Sequence, residues 1–105
     1  MQLPAGFAVR HQGLAVIMAA GRIEFRFSQD EARGLSLHLG SADEHGGRPL
    51  PQHFEVRREG GTVILAVSPT LEYQFTEPEA RAIAWSLMSE AEVSRRTRHV
   101  SARGD

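Results

Sequence analysis

Histidine and carboxylate side chains are the groups in this sequence with the widest use in catalysis and metal binding. A metal site needs three or four such ligands that converge at short bond lengths. His45 and His53 share one stretch of chain with Asp43 and Glu44, but the same stretch contains two glycines and two prolines, so nothing fixes a coordination geometry. We therefore predict neither a metal ion nor a cofactor. The remaining histidines are isolated along the chain: His11, His38 and His99.

The sequence patterns of the common enzyme mechanisms are missing. The chain has no G-x-S-x-G nucleophile turn, no G-x-x-x-x-G-K-[ST] phosphate loop and no G-x-G-x-x-G dinucleotide turn. It contains neither Cys nor Lys, which removes thiolate nucleophiles and Schiff-base chemistry. The carboxylate pairs Asp30 and Glu31, and Glu77 and Glu79, lie where helices are predicted to begin, and helix capping explains them. We predict that the protein is not an enzyme.

Arginine supplies all twelve basic residues, which face thirteen acidic ones, so the formal net charge is −1. No overall field attracts the chain to nucleic acid or membrane, and a polyanion would have to bind locally. The C-terminal arginine cluster can do this, although cations at a helix end also complement the helix dipole. Together with arginines on an open sheet face, the C-terminal cluster would form a surface for single-stranded nucleic acid. Binding of single-stranded nucleic acid is therefore the alternative function. The residues of that surface are Arg10, Arg26, Arg57, Arg95, Arg96 and Arg98.

An internal repeat supplies the elements that position these residues. Sliding the chain against itself by 48 positions aligns residues 23–44 with residues 71–92, and eight aligned residues are identical. About one or two identities would arise by chance at ordinary residue frequencies. Upstream, at a shift of 47, Phe7-x-Val9 aligns with Phe54-x-Val56. The chain therefore contains an internal duplication of one unit.

Each copy of the unit predicts three strands followed by a helix. The first and third strands alternate apolar and polar residues, and the second is apolar throughout, as a central strand requires. In the third strand of the first copy, the alternation predicts that Ile23, Phe25 and Phe27 face the core. A capping box begins each helix, Ser28-x-x-Glu31 in the first copy and Thr76-x-x-Glu79 in the second. The predicted strands are residues 7–11, 14–20 and 23–27 in the first copy and 54–58, 62–67 and 71–75 in the second.

These patterns predict one α+β domain. A unit of ~47 residues buries little surface alone, so the copies should share one core. We predict a mainly antiparallel sheet of about six strands, with both helices packed on one face. The parts of this single domain, 1–105, are repeat 1 at about 5–44, a linker at 45–53, repeat 2 at about 54–93 and a flexible basic tail at 95–105.

One face of each helix stands out as a candidate contact surface. Leu37 and Trp85 occupy the same repeat position and lie roughly opposite the core-facing stripe, at 100° per residue. The residues predicted for that stripe are Ala32, Leu35, Leu39 and Ala42 in the first helix and Ala80, Ile83, Ala84, Leu87 and Ala91 in the second. Small residues flank both at helical spacing and would let another helix approach closely. We predict either contact with a protein partner or a second copy, or side-by-side packing of the two helices within one chain. The flanking residues are Gly34 and Ser41 in the first copy and Ala82 and Ser89 in the second.

The sequence also predicts where the protein acts. The longest apolar run, residues 14–20, is too short to span a bilayer, and the absence of Cys fits a reducing compartment, so we expect a cytoplasmic protein with no membrane partner. Arginine without lysine suggests a GC-rich bacterial or phage genome. We predict a non-enzymatic protein-interaction or regulatory accessory protein that uses the helix face, with another protein or as a homodimer.

Overall fold

The computed structural model describes residues 3–40, 50–51 and 53–102, with the backbone alone described for 94–102. Two successive units each contain three antiparallel strands and a helix, which confirms the α+β fold and the duplication. The first unit contains β1 (Phe7–Gln12), β2 (Ala15–Ala20), β3 (Ile23–Phe27) and α1 (Gln29–Gly40). The second unit contains β4 (Glu55–Glu59), β5 (Thr62–Ser68), β6 (Leu71–Thr76) and α2 (Glu77–Ala102).

Glycine permits the tight turn between the first two strands of each unit. Gln12 pairs with Ala15 across one turn and Glu59 pairs with Thr62 across the other, so each loop has only two residues. Gly13 and Gly60 begin these loops with φ of 60° and 57°, a region that other residues enter at a steric cost.

The strands form two separate sheets, in the orders β1-β2-β3 and β4-β5-β6, rather than one sheet of six. Among the described residues, no backbone pairing joins one sheet to the other. Aromatic side chains occupy the space between the edge strands instead. Phe7 of β1 lies edge-on against Phe75 of β6, with ring centroids 5.2 Å apart, and Phe54 lies against Phe27 of β3 at 5.5 Å.

The aromatic cluster repeats the internal symmetry of the sequence. Phe7 and Phe54 are equivalent in the two units, and each contacts the third strand of the other unit. Phe25 and Tyr73 are also equivalent, and they contact each other at 6.4 Å, so this pair lies on the pseudo-twofold axis. Edge-to-face pairs add stabilisation beyond their buried area. The two units therefore share one core, as predicted.

The central strands are buried on both of their faces. Val16 and Met18 face the shared core, while Ile17 points to the outer face of its sheet and is nevertheless only 3% exposed. Its cross-strand neighbours are Arg10 and Arg26. Because arginine has a long aliphatic stem, such neighbours cover an apolar residue while their guanidinium groups stay in water.

Both predicted capping boxes are present. The Glu31 amide donates to Ser28 Oγ at 3.1 Å, and the Ser28 amide donates to a Glu31 carboxylate oxygen at 2.8 Å. Thr76 and Glu79 make the same reciprocal pair at 3.3 and 2.9 Å. The predicted core-facing stripes are buried: Ala32, Leu35 and Leu39 on α1, and Ala80, Ile83, Ala84, Leu87 and Ala91 on α2. Ala42, also predicted for the first stripe, lies outside the described residues.

The two helices pack against each other through small residues. Ser36 Oγ donates to the Ala84 carbonyl at 2.6 Å, and both residues are buried. A methyl group placed on Gly40 would lie 3.4 Å from Ala84 Cβ, so the backbones approach closely there. Positions 36 and 84 are equivalent in the two units, and the helix contact lies near the same pseudo-twofold axis.

Polar contacts also join each unit to the helix of the other. His11 of β1 bonds to Glu90 of α2 at 2.8 Å, and Arg58 of β4 donates to the carbonyls of His38 and Leu39, at 2.9 and 2.7 Å. Arg58 thus places a cation and two hydrogen bonds at the last described turn of α1, where a positive charge complements the helix dipole. No helix in the described part of the chain is long and apolar enough to cross a bilayer.

Candidate protein-interaction surface

The predicted contact residues occupy unequal environments. Trp85 is 62% exposed, whereas Leu37 at the equivalent position of α1 is half-buried. Ser89 is half-buried beside Trp85. Gly34 and Ala82 are buried, so they do not belong to an exposed face. Ser41 lies outside the described residues.

The burial of Gly34 and Ala82 has a physical cause in helix pairing. A helix that only lies flat on a sheet buries one stripe, and positions 34 and 82 would then face water. Here α1 and α2 also pack on each other through Ser36 and Ala84, so each helix is covered on more of its circumference. The side-by-side packing that was one of our two alternatives therefore occurs, but it leaves Trp85 outside.

Trp85 lines an open cleft on the surface of α2 with a volume of about 370 Å³. Met88 and Val93 supply further apolar surface, and Val93 is 38% exposed. Ser89 and Glu92 complete the lining. We call these five residues the Trp85 surface. The sequence reasoning missed Met88 and Val93, although their spacing of three and eight residues from Trp85 is the signal that could have found them.

Within the described residues, the first unit differs from the second at the positions of the Trp85 surface. Where α2 has Met88, the equivalent position of α1 is Gly40, the last residue of α1 that the structure describes. α2 continues for fourteen residues beyond that equivalent point, to Ala102, and includes residues 95–102 that we expected to form a flexible tail. Neither Gly nor Pro interrupts residues 79–102, and arginine and alanine favour helix, so nothing in this stretch ends the helix early.

Two polar contacts hold α2 beside the Trp85 surface. Glu92 accepts from Arg33 of α1 at 2.8 Å, and Glu90 bonds to His11 of β1 at the same distance. Arg33 is largely buried, with 16% of its side chain exposed, so this pair is better shielded from solvent than the pairs on the sheets. The helix that carries Trp85 is thereby held from two sides.

Carboxylates already engage two of the three sheet arginines that we considered for nucleic-acid binding. Arg10 pairs with Glu24 at 3.2 Å, and the equivalent Arg57 pairs with Glu72 at 3.0 Å. Arg26 is exposed and makes no ion pair among the described residues. The side chains of the other three candidates fall outside the described part of the chain: Arg95, Arg96 and Arg98.

The two sheet faces differ in charge although their ion pairs correspond. Arg57 has two further carboxylates nearby, Glu59 at 3.4 Å and Glu55 at 3.9 Å. The hydrogen bond from Arg57 to Glu72 and the surrounding negative charge raise the pKa of the Arg57 guanidinium above its ordinary value. The second sheet therefore carries an excess of negative charge. In the first unit the positions of Glu55 and Glu59 hold uncharged residues, Ala8 and Gln12.

A second cleft, of about 460 Å³, lies at the end of the second sheet. His53, Glu55 and Glu72 contribute to its lining, together with less polar residues. His53 has a φ of 73°, in the left-handed region, and the equivalent residue of the first unit is Gly6 with φ 84°. Within the described ranges no three His, Asp or Glu side chains are placed to hold a metal ion. His45, Asp43 and Glu44 are outside those ranges.

Comparison with known proteins returns no relative. No protein-family model matches the chain, and neither the curated proteins nor the solved structures contain a significant match.

Proposed function

We propose that this protein is a non-enzymatic, cytoplasmic protein-interaction or regulatory accessory protein, and that its Trp85 surface binds another polypeptide. The exposure of Trp85 carries the proposal. Its equivalent, Leu37, is half-buried, so the repeated architecture itself does not require an exposed indole at this position. Aromatic residues and methionine are enriched in protein interfaces, and this surface contains both.

The physical gain on binding comes from apolar area. Covering an exposed Trp side chain contributes about 2–3 kcal/mol, before the cost of association is subtracted. Met88 and Val93 extend the apolar area on either side of the helix stripe, while Ser89 and Glu92 supply polar groups at its centre. Protein interfaces combine aromatic and methionine side chains of this kind with hydrogen-bonding groups.

The experiment compares Trp85→Glu with Leu14→Glu as immobilised baits for a cell extract of the native host. Leu14 is 51% exposed in the turn between β1 and β2, so its substitution controls for the loss of an exposed apolar residue elsewhere. We expect wild type and Leu14→Glu to retain the same proteins, and Trp85→Glu to lose them. Equal retention by all three baits would contradict the proposal.

A further inference from the structure

The occupant of the Trp85 surface follows from how charge is distributed along α2. Four of its five acidic or basic residues between 77 and 92 are glutamates, and after residue 92 the helix contains arginines and His99 but no acidic residue. Two such helices side by side in parallel would place like charges together, whereas an antiparallel pair places Glu90 and Glu92 of one copy beside the arginine-containing segment of the other.

We propose that two copies of the chain associate through α2 in antiparallel orientation, with the twofold axis near Val93. This inference rests on the proposed function, because it uses the Trp85 surface as the binding site. With that axis, Glu90 of one copy is level with position 96 of its partner, which is an arginine in the sequence. Trp85 lies eight residues from the axis, about 12 Å along the helix, and is level with the last turn of the partner helix.

The spacing along α2 supports a pairing of two helices. Trp85, Ser89 and Glu92 are separated by four and three residues, and positions 96 and 99 continue the same alternation. A spacing of four and three residues keeps one stripe facing a neighbouring helix over several turns. Ser89, between Trp85 and Glu92 on this stripe, is small and leaves room for a neighbouring backbone.

The carboxylates near the axis remain available to a partner. Glu90 bonds to the His11 ring and Glu92 accepts from Arg33, and 28% and 44% of the two glutamate side chains are exposed. A carboxylate has about four lone-pair positions, so each can accept a second hydrogen bond. Because the pairs at the axis would be partly exposed, their attraction should weaken with added salt.

Sedimentation velocity tests the association with the full-length chain. We expect reversible dimers with a dissociation constant of about 1–100 μM, since one pair of helix stripes is a small interface. Trp85→Glu should raise the dissociation constant more than tenfold, and so should Arg95→Glu combined with Arg96→Glu and Arg98→Glu. Leu14→Glu should leave it unchanged. Circular dichroism of each variant checks that the fold is retained.

Crosslinking tests the orientation, and the natural absence of cysteine removes any background. Ser89→Cys and Arg96→Cys proteins are mixed and treated with a short bismaleimide. An antiparallel pair brings positions 89 and 96 together, so the mixed dimer should form in preference to the Ser89→Cys homodimer, and the two products differ in mass. Preferential formation of the homodimer would contradict the antiparallel arrangement.

Failure of this inference is distinguishable from failure of the proposed function. A wild-type chain that stays monomeric up to about 1 mM overturns self-association. If Trp85→Glu still loses host proteins that Leu14→Glu retains, the Trp85 surface binds a different polypeptide and the proposed function stands. If neither experiment responds to Trp85→Glu, both fail.

Discussion

At the scale of single residues, the two units hold the same arginine in different surroundings. Arg10 pairs with one carboxylate, whereas Arg57 lies within 4 Å of three. The ion pairs are exposed, so each contributes little on its own. The difference between the two sites is nevertheless testable, because removal of Arg57 leaves three negative charges together while removal of Arg10 leaves one.

We predict that Arg57→Ala lowers the melting temperature more than Arg10→Ala at pH 7 and low ionic strength. The pKa of Arg57 is raised above its ordinary value by its carboxylate neighbours, so the pairing stabilises the fold near neutral pH. The carboxylates left behind in Arg57→Ala repel one another only when ionised. The difference in melting temperature between the variants should therefore narrow on acidification. A gap that widens on acidification would contradict this account.

At the scale of secondary-structure elements, the capping boxes account for where both helices begin. Replacing Ser28 or Thr76 by Ala removes the acceptor for a first-turn amide, and we predict a loss of about 1 kcal/mol in the free energy of unfolding for each variant. Denaturant titration measures the loss. Ser86→Ala within α2 is the matched control, and it should be neutral or slightly stabilising because Ala is the better helix former.

The elements that could be predicted from the sequence are those set by local patterns. The strands lie within one or two residues of the predicted ranges, because alternation and glycine turns act over neighbouring residues. Ile23 is an exception within β3. It was expected to face the core with Phe25 and Phe27 but is 44% exposed, since it lies at the end of its sheet. The separation into two sheets depends on rings from distant parts of the chain, and no local pattern contains that information.

The candidate surface was predicted only in part for the same reason. The helical wheel identified Trp85 correctly as an exposed residue, because that position lies opposite the core-facing stripe. It placed Gly34 and Ala82 on the exposed side as well, and they are buried because the two helices pair. A wheel drawn for one helix contains no information about a second helix beside it.

At the scale of the whole molecule, the shared core makes each half dependent on the other. The aromatic cluster, the Ser36–Ala84 bond and the contacts of Arg58 all cross between the units. We predict that neither fragment 1–49 nor fragment 50–105 folds as a monomer, and that mixing them restores the circular dichroism spectrum of the intact chain. Either fragment folding alone as a monomer would contradict a shared core. Analytical ultracentrifugation identifies the species present.

The contact between the equivalent residues Phe25 and Tyr73 has a consequence for how the two units can diverge in sequence. If the two units were identical separate chains that formed a dimer through this contact, the dimer would dissociate on dilution. A mutation in their gene would also change both chains at once. A covalent connection replaces that encounter by a unimolecular step, at an effective concentration set by the connecting segment. The covalent connection also allows one unit to be substituted while the equivalent residue of the other unit stays unchanged. An outward-facing indole can thus exist on the helix of the second half, while the equivalent position of the first half keeps a half-buried leucine.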